Sequence, residues 1–221
     1  FGSDVIDSGI PVDLWRFYLL AIRPEKQDSA FCWQEFFDKI NNEFLDNIGN
    51  LVNRSLVYSH KNFPGPLEAG TRTEAHHTFI KEAQALIEEI TAAYEACSLK
   101  EAIRQTLTLG RLGNKFFQDE EPWVKIKAGK EDEVRSAINI LTHLVRDLSI
   151  LLSPVIPETC ERLQATLNIQ DKDWSSLGNY ENLLGVEINK PAILYPKLDN
   201  KLVEGLRDKF SGEVKEDPFT K

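Results

Sequence analysis

The sequence predicts a mainly α protein: an antiparallel bundle of about four or five long helices with a small N-terminal α/β appendage. Three observations carry that prediction. Apolar residues recur at helical spacing through most of the chain. Pro- and Gly-rich stretches such as FPGPLEAG punctuate the periodic segments. Only QDSAFCW and AILYP read as extended, and no internal repeat is present.

The elements follow in order. SGIPVDLWRFYLLAIRPE opens with Ser8, sets Pro11 at a helix start, places Leu14, Phe17 and Tyr18 at helical spacing, and stops at Pro24. QDSAFCW, 27–33, is short and part apolar and reads as a strand. A long helix spans 34–63, with Phe37, Ile40, Phe44, Ile48, Leu51 and Ser55 on its core stripe. After the turn at 63–70 a second long helix covers 73–96. Ser98 and Glu101 form an S-x-x-E capping box that opens a third, LKEAIRQTLTLGRLGNKFFQ. DEEPWVKIKAGKED, 119–132, breaks that helix and places Trp123 in an acidic, polar loop. The fourth helix, EVRSAINILTHLVRDLSILLS, ends before Pro154, and PVIPETCERLQATLNI starts a fifth with proline at its head. The stretch 168–196 is irregular, and a short helix at 199–209 precedes a charged tail. Three units result: 1–33, the bundle at 34–165, and 166–221 as an irregular region, short helix and linker start.

Composition narrows the function. The chain has 221 residues, 42% of them hydrophobic, enough for one substantial core. No apolar run reaches the roughly 18–20 residues of a membrane span, and no signal peptide precedes the polar FGSDVIDSGIPVD, so a soluble, cytoplasmic protein is expected. The first residue is Phe and methionine is absent, so a fragment, a processed chain or a trimmed sequence is expected. Cys32, Cys97 and Cys160 are odd in number and form no CxxC; reduced, buried or half-buried residues are expected. His60, His76, His77 and His143 make no metal-ligand pattern, and no metal site is expected. No phosphate-cradling loop, nucleophile elbow or paired carboxylates occur, so no catalytic residues are assigned. The formal net charge of −9 argues against nonspecific nucleic-acid binding; any such contact must be local.

One strip of the long helix is not explained by its core. Asn50 and Arg54, an i, i+4 pair, lie away from the apolar stripe, with Asn47 and Lys61 on or near the same strip. Alone, the strip reads as a solvated helix face and Trp123 as core packing. Together, an exposed aromatic ring beside an amide and a guanidinium suit a single-stranded base, which is bound by stacking and by hydrogen bonds to its edges.

The stretches DSGIPVDLWRFYLLAIRPEKQDSAFCW, NxxNR at 50–54, DEEPWV and LLSPVIPE occur in this order. On them the chain resembles the C-terminal part of eukaryotic cytosolic methionyl-tRNA synthetases, class I enzymes, over essentially its whole length. SPVIPE is shared by several related synthetases, whereas RFYLLAIRPEKQDSAFCW with EEPW is more specific; a sister synthetase for another amino acid fits EPW and NxxNR less well. The resemblance implies a helical anticodon-binding domain preceded by a stem-contact segment at 1–33, which in the family follows the KMSKS loop. It implies an activity that joins methionine to its tRNA with ATP and reads the CAU anticodon through Asn50, Arg54, Pro122 and Trp123. Trp123 would stack on the first base, C, while Asn50 and Arg54 read its polar edge. Lys61, Lys115, Lys125 and Lys127 are candidate phosphate contacts. The HIGH, KMSKS and zinc-binding elements are not in these residues. ATP and methionine would bind the missing catalytic domain, this fragment would hold no cofactor, and it would bind without catalysing. The partner is methionine tRNA, with other synthetases reached through modules outside this chain. The competing reading is a non-enzymatic helical scaffold docking in a multi-protein assembly; exposure of Trp123 beside Asn50 and Arg54 separates the two.

Overall fold

The structure, a computed structural model, describes residues 2–25, 28–170 and 172–210. Its helices are α1 (Gly2–Asp7), α2 (Val12–Ala21), α3 (Trp33–Asp38), a π-helical segment (Lys39–Gly49), α4 (Asn50–Asn62), α5 (Glu74–Glu95), α6 (Leu99–Glu120), α7 (Pro122–Lys127), α8 (Glu131–Leu151), α9 (Pro157–Thr166) and α10 (Asn200–Phe210). Among the described residues there is no strand; Pro66 and Glu187 form one isolated antiparallel bridge.

The core is organised round α8, which packs against α4, α5, α6, α7 and α9. Every residue from 136 to 151 is buried. A helix hemmed in on all sides must be apolar all round or satisfy its polar groups internally. Ile138, Leu141, Leu144 and Leu148 supply the apolar contacts, facing Leu51, Leu56, Ile90 and Ile103 of the surrounding helices in one cluster. Three polar residues of α8, His143, Arg146 and Asp147, are tied to the segment that follows α9. His143 donates from Nδ1 to the Asn139 carbonyl at 2.9 Å and accepts from the Leu183 N–H at 3.0 Å. Burial pushes its imidazolium down to about 4, so the ring is neutral. Arg146 pairs with Asp147 and donates to the Ser176 carbonyl at 2.8 Å, and Asp147 accepts from the Gly178 N–H at 3.2 Å. Burial pushes the Asp147 carboxyl up to about 6 against the opposing pull of Arg146.

The N-terminal segment is bonded to the bundle. Asp13 accepts from the backbone N–H and the hydroxyl of Thr159, each at 2.6 Å, so a carboxylate from α2 caps the first turn of α9. Arg16 donates to the carbonyls of Val155 and Pro154. α10 packs against α3.

Several expectations are corrected. The strand at 27–33 is absent: 28–32 has no regular structure, residue 27 lies outside the described residues, and Trp33 already starts α3. Tyr18 Oη instead accepts from the Cys32 N–H at 3.1 Å, and the rings of Trp15, Phe31, Trp33 and Phe36 pack together. AILYP pairs with no strand either. The long helix is continuous, but its π-helical middle widens the turn and shifts the faces. Phe36 is fully buried while Phe37 is half-buried, and Asn47, expected on the exposed strip, is buried. The Ser98–Glu101 box does not form; Ser98 makes no side-chain cap, and Glu101 bonds Arg104 and Gln105. A reciprocal box caps α5 instead, with Thr73 accepting from the His76 N–H and His76 Nδ1 accepting from the Thr73 N–H. The break after α6 is sharp, but 122–127 is helical rather than loop. Cys160 is buried, whereas Cys32 and Cys97 are exposed. The charged tail lies outside the described residues. No helix among them is long and apolar enough to cross a membrane.

Candidate nucleic-acid interface

α4 and α6 lie side by side and run in the same direction, as alternate members of an up-down bundle do. Two rungs join them: Asn50 Nδ2 donates to Asn114 Oδ1 at 3.1 Å, and Arg54 Nη2 donates to Gln118 Oε1 at 3.2 Å. Glycines on α6 allow this approach. A Cβ on Gly113 would lie 2.8 Å from a Leu51 methyl, and one on Gly110 would lie 2.8 Å from Asn47 Oδ1.

At the end of α6 the chain turns through Glu121, held in the left-handed region at φ 42° and ψ 55°. Pro122 then occupies the first position of α7, where its fixed φ suits a helix start and its missing N–H leaves nothing unpaired. Pro122 is buried, so the next side chain is thrown outward: Trp123 is 40% exposed. Its ring stands 6.3 Å from that of Phe117, tilted by 38°. The Arg54 guanidinium lies over the same Phe117 ring, 4.3 Å from its centroid, and Tyr58 meets it edge-on at 5.8 Å. Phe117 is therefore the hub that brings the predicted arginine and the predicted tryptophan to one place. Partial burial draws the Arg54 pKa down from its ordinary value, yet a guanidinium stays protonated.

These groups line a groove of about 560 Å³ with Asn53, Tyr58 and Lys61, and with Lys127 at its α7 side. One wall is aromatic, the other offers amides and cations, and the size is in the range of small-ligand pockets. Asn50, exposed, stands one turn before Arg54 on the same strip but does not line the groove. Pro122 acts from beneath. Lys115 is exposed on α6 and does not line it. Lys125 departs from its expected role. It pairs with Glu120 at 2.6 Å and with Glu133 at 3.7 Å. Glu120 also accepts from Nε2 of the buried His76 at 3.0 Å. Burial alone would raise the Glu120 carboxyl, but the bonds from His76 and Lys125 outweigh it and the net shift is downward. Lys125 thus anchors α7 to the end of α6 and to α8 rather than reaching for phosphate.

Sequence reasoning missed Phe117, Tyr58, Asn53, Asn114 and Gln118. A signal for the last two was present: Asn114 and Gln118 repeat on α6 the i, i+4 spacing of Asn50 and Arg54. Phe117 gave none, because an aromatic in KFFQ reads as core.

A family profile described as "Anticodon binding domain of methionyl tRNA ligase" matches residues 66–215, and one described as "tRNA synthetases class I (M)" matches residues 1–56. The methionine–tRNA ligase of Borrelia garinii subsp. bavariensis is 39% identical over 214 residues, covering 96% of this chain and 29% of that protein. That of Treponema denticola is 30% identical over 244 residues, covering 98% of this chain and 30% of its own length. The chain thus spans about 29% of the length of the curated relatives it matches. The apo methionyl-tRNA synthetase of Mycobacterium tuberculosis superposes with a TM-score of 0.79 at 24% identity, covering 88% of this chain and 40% of that one, a likeness of fold. These relatives are bacterial, so the eukaryotic cytosolic part of the resemblance is not supported.

Proposed function

This chain belongs to the methionyl-tRNA ligase family and carries its anticodon-binding domain, and on that premise we propose that the groove between α4, α6 and α7 reads the CAU anticodon of methionine tRNA. The observation that carries the reading is the shared Phe117 hub. It holds the Arg54 guanidinium and an exposed Trp123 against one open groove. Trp123 stacks on the unstacked first base, and Asn50 and Arg54 face its polar edge. Cytosine offers an amino donor beside ring and carbonyl acceptors, which an amide oxygen and a guanidinium complement. Arg54, Lys61 and Lys127 give a local positive patch within a chain of net charge −9. Lys115 adds a phosphate contact outside the groove.

In this reading residues 1–33 are a stem-contact segment, 34–165 the anticodon-binding bundle, and 166–221 the region leading into a linker. The parent ligase works in the cytoplasm and attaches methionine to its tRNA with ATP. Methionine and ATP bind parts of that ligase outside these residues, no cofactor is held here, and contacts to other synthetases run through other modules. The test is a binding titration of the intact ligase with methionine tRNA and with a transcript altered in its anticodon. Marked preference for CAU is expected. Equal affinity for both would overturn the reading and favour a protein-docking scaffold.

A further inference from the structure

The amide of Asn50 is not free to choose which atom it shows to solvent. Its Nδ2 donates to Asn114 Oδ1. Asn114 is itself fixed: its Nδ2 lies 2.9 Å from the Asn47 carbonyl, 3.1 Å from the Gly110 carbonyl and 3.3 Å from Asn47 Oδ1. Backbone carbonyls only accept, so Asn114 must aim its NH₂ at them and its oxygen at Asn50. Asn47, buried, is fixed in the same way, because its Nδ2 donates to the Leu107 carbonyl at 2.7 Å and leaves its oxygen for Asn114. Gly110 leaves the space that the Asn47 oxygen occupies.

We propose that this run of amides, anchored on the buried Asn47, makes Asn114 a positioning residue. It sets the hydrogen-bond polarity of Asn50, so that the atom Asn50 offers to the first anticodon base is its carbonyl oxygen. The proposal deepens the base-reading assignment above and rests on it. An outward acceptor suits cytosine, whose N4 amino group donates. Uracil carries a carbonyl oxygen at the same place, and oxygen would meet oxygen. An unrestrained asparagine could turn its amide over and accept either base. Selection of C over U is therefore decided by a side chain that does not itself touch the RNA.

The experiment compares the intact ligase with Asn114→Ala and Asn50→Ala variants. Each is titrated with transcripts of methionine tRNA carrying C or U at the first anticodon position. Asn50→Ala is expected to collapse the preference for C. Asn114→Ala is expected to lower it about tenfold, the scale of one base-edge contact, mainly through tighter binding of the U transcript. A purely structural role would weaken both transcripts equally, and that result overturns the proposal. If Asn50→Ala leaves the preference intact, base reading by Asn50 fails first. If Asn50→Ala collapses it and Asn114→Ala does not, the reading stands and the relay falls. Because Asn114→Ala could unfold, the polarity is also tested at the exposed position. Asn50→Ser keeps a donor and Asn50→Asp does not, while their helix propensities are similar. The relay requires Asn50→Asp to melt below Asn50→Ser at neutral pH. The reverse order overturns it.

Discussion

Arg146 and Arg54 both sit on long helices of the same bundle, yet their surroundings differ in kind. Arg146 is 1% exposed, paired with Asp147 and bonded to the Ser176 carbonyl. Its work is internal: it holds the 174–183 segment against α8. Arg54 spends one N–H on Gln118 and its flat face on Phe117, and it lines an open groove. A buried guanidinium bonded through Nε and Nη2 to a carboxylate and a carbonyl is a structural strut. One whose plane is fixed while part of its fork faces a cavity is prepared for a ligand. The difference between them lies in the partners, which come from distant parts of the chain.

The largest effect should come from breaking the closed side. Asp147→Ala leaves Arg146 buried without its counter-charge and should destabilise folding by about 3–5 kcal/mol, measured by denaturant unfolding. Variant that remains folded should keep its preference for CAU; loss of that preference at full folding would erase the distinction between the two regions.

On the open side, Trp123→Ala should weaken tRNA binding by about 1–3 kcal/mol, and equally for altered first bases, since a stacking platform has no base preference. Arg54→Ala should weaken CAU by a similar order but a changed first base much less, with a salt slope reduced by roughly one contact where it also meets phosphate. Titrations at two salt concentrations separate the two. If Arg54→Ala weakens both transcripts alike, Arg54 is a phosphate anchor only.

A smaller effect sharpens the contrast through pH. His143 is held down to about 4 in the fold, below its ordinary value near 6.5. It therefore contributes stability that is present above about 6.5 and is lost as pH falls through 4. Asp147, raised to about 6, acts in the opposite sense, contributing below its ordinary value and losing that as pH rises through 6. The two partly offset each other in the wild type. His143→Gln, which can keep both hydrogen bonds without a titrating group, removes one of them. Its stability relative to wild type should rise by on the order of 1 kcal/mol between pH 6.5 and 4, with tRNA preference unchanged. A difference that stays constant over this range would contradict the assignment.

The smallest effect distinguishes two lysines two residues apart. Lys127→Ala should lower the salt slope of tRNA binding by roughly one contact. Lys125→Ala should leave that slope unchanged and alter stability by about 0–1 kcal/mol, because its ammonium is committed to Glu120 and Glu133. Equal slopes for the two variants would return Lys125 to the phosphate contacts.

Helix positions were legible because apolar spacing and proline report them directly: Pro11, Pro122 and Pro157 each stand at or next to a helix start. The wheel failed where the helix is not α. The wider turn of Lys39–Gly49 takes Asn47 inside, and in α3 just before it Phe36 rather than Phe37 enters the core; no local residue pattern announces it. The pairing of Arg54 with Trp123 was legible only through the family resemblance, since their meeting depends on Phe117. The fate of Lys125 was hidden for the same kind of reason. Glu120 and Glu133 could be seen nearby in sequence, but whether α7 turns its lysine toward them is set by the Glu121 turn and by His76 on α5.

Gly110 and Gly113 bring α6 so near the long helix that the placing of Phe117, one turn beyond Gly113, is set by close packing. The walls are then ordered when the protein folds, not when RNA arrives, and no encounter has to wait for them. Association of tRNA with this face should appear as a single concentration-dependent phase, without a slow isomerisation behind it. Differences between cognate and near-cognate anticodons should then be found in how long the complex lasts, not in how fast it forms.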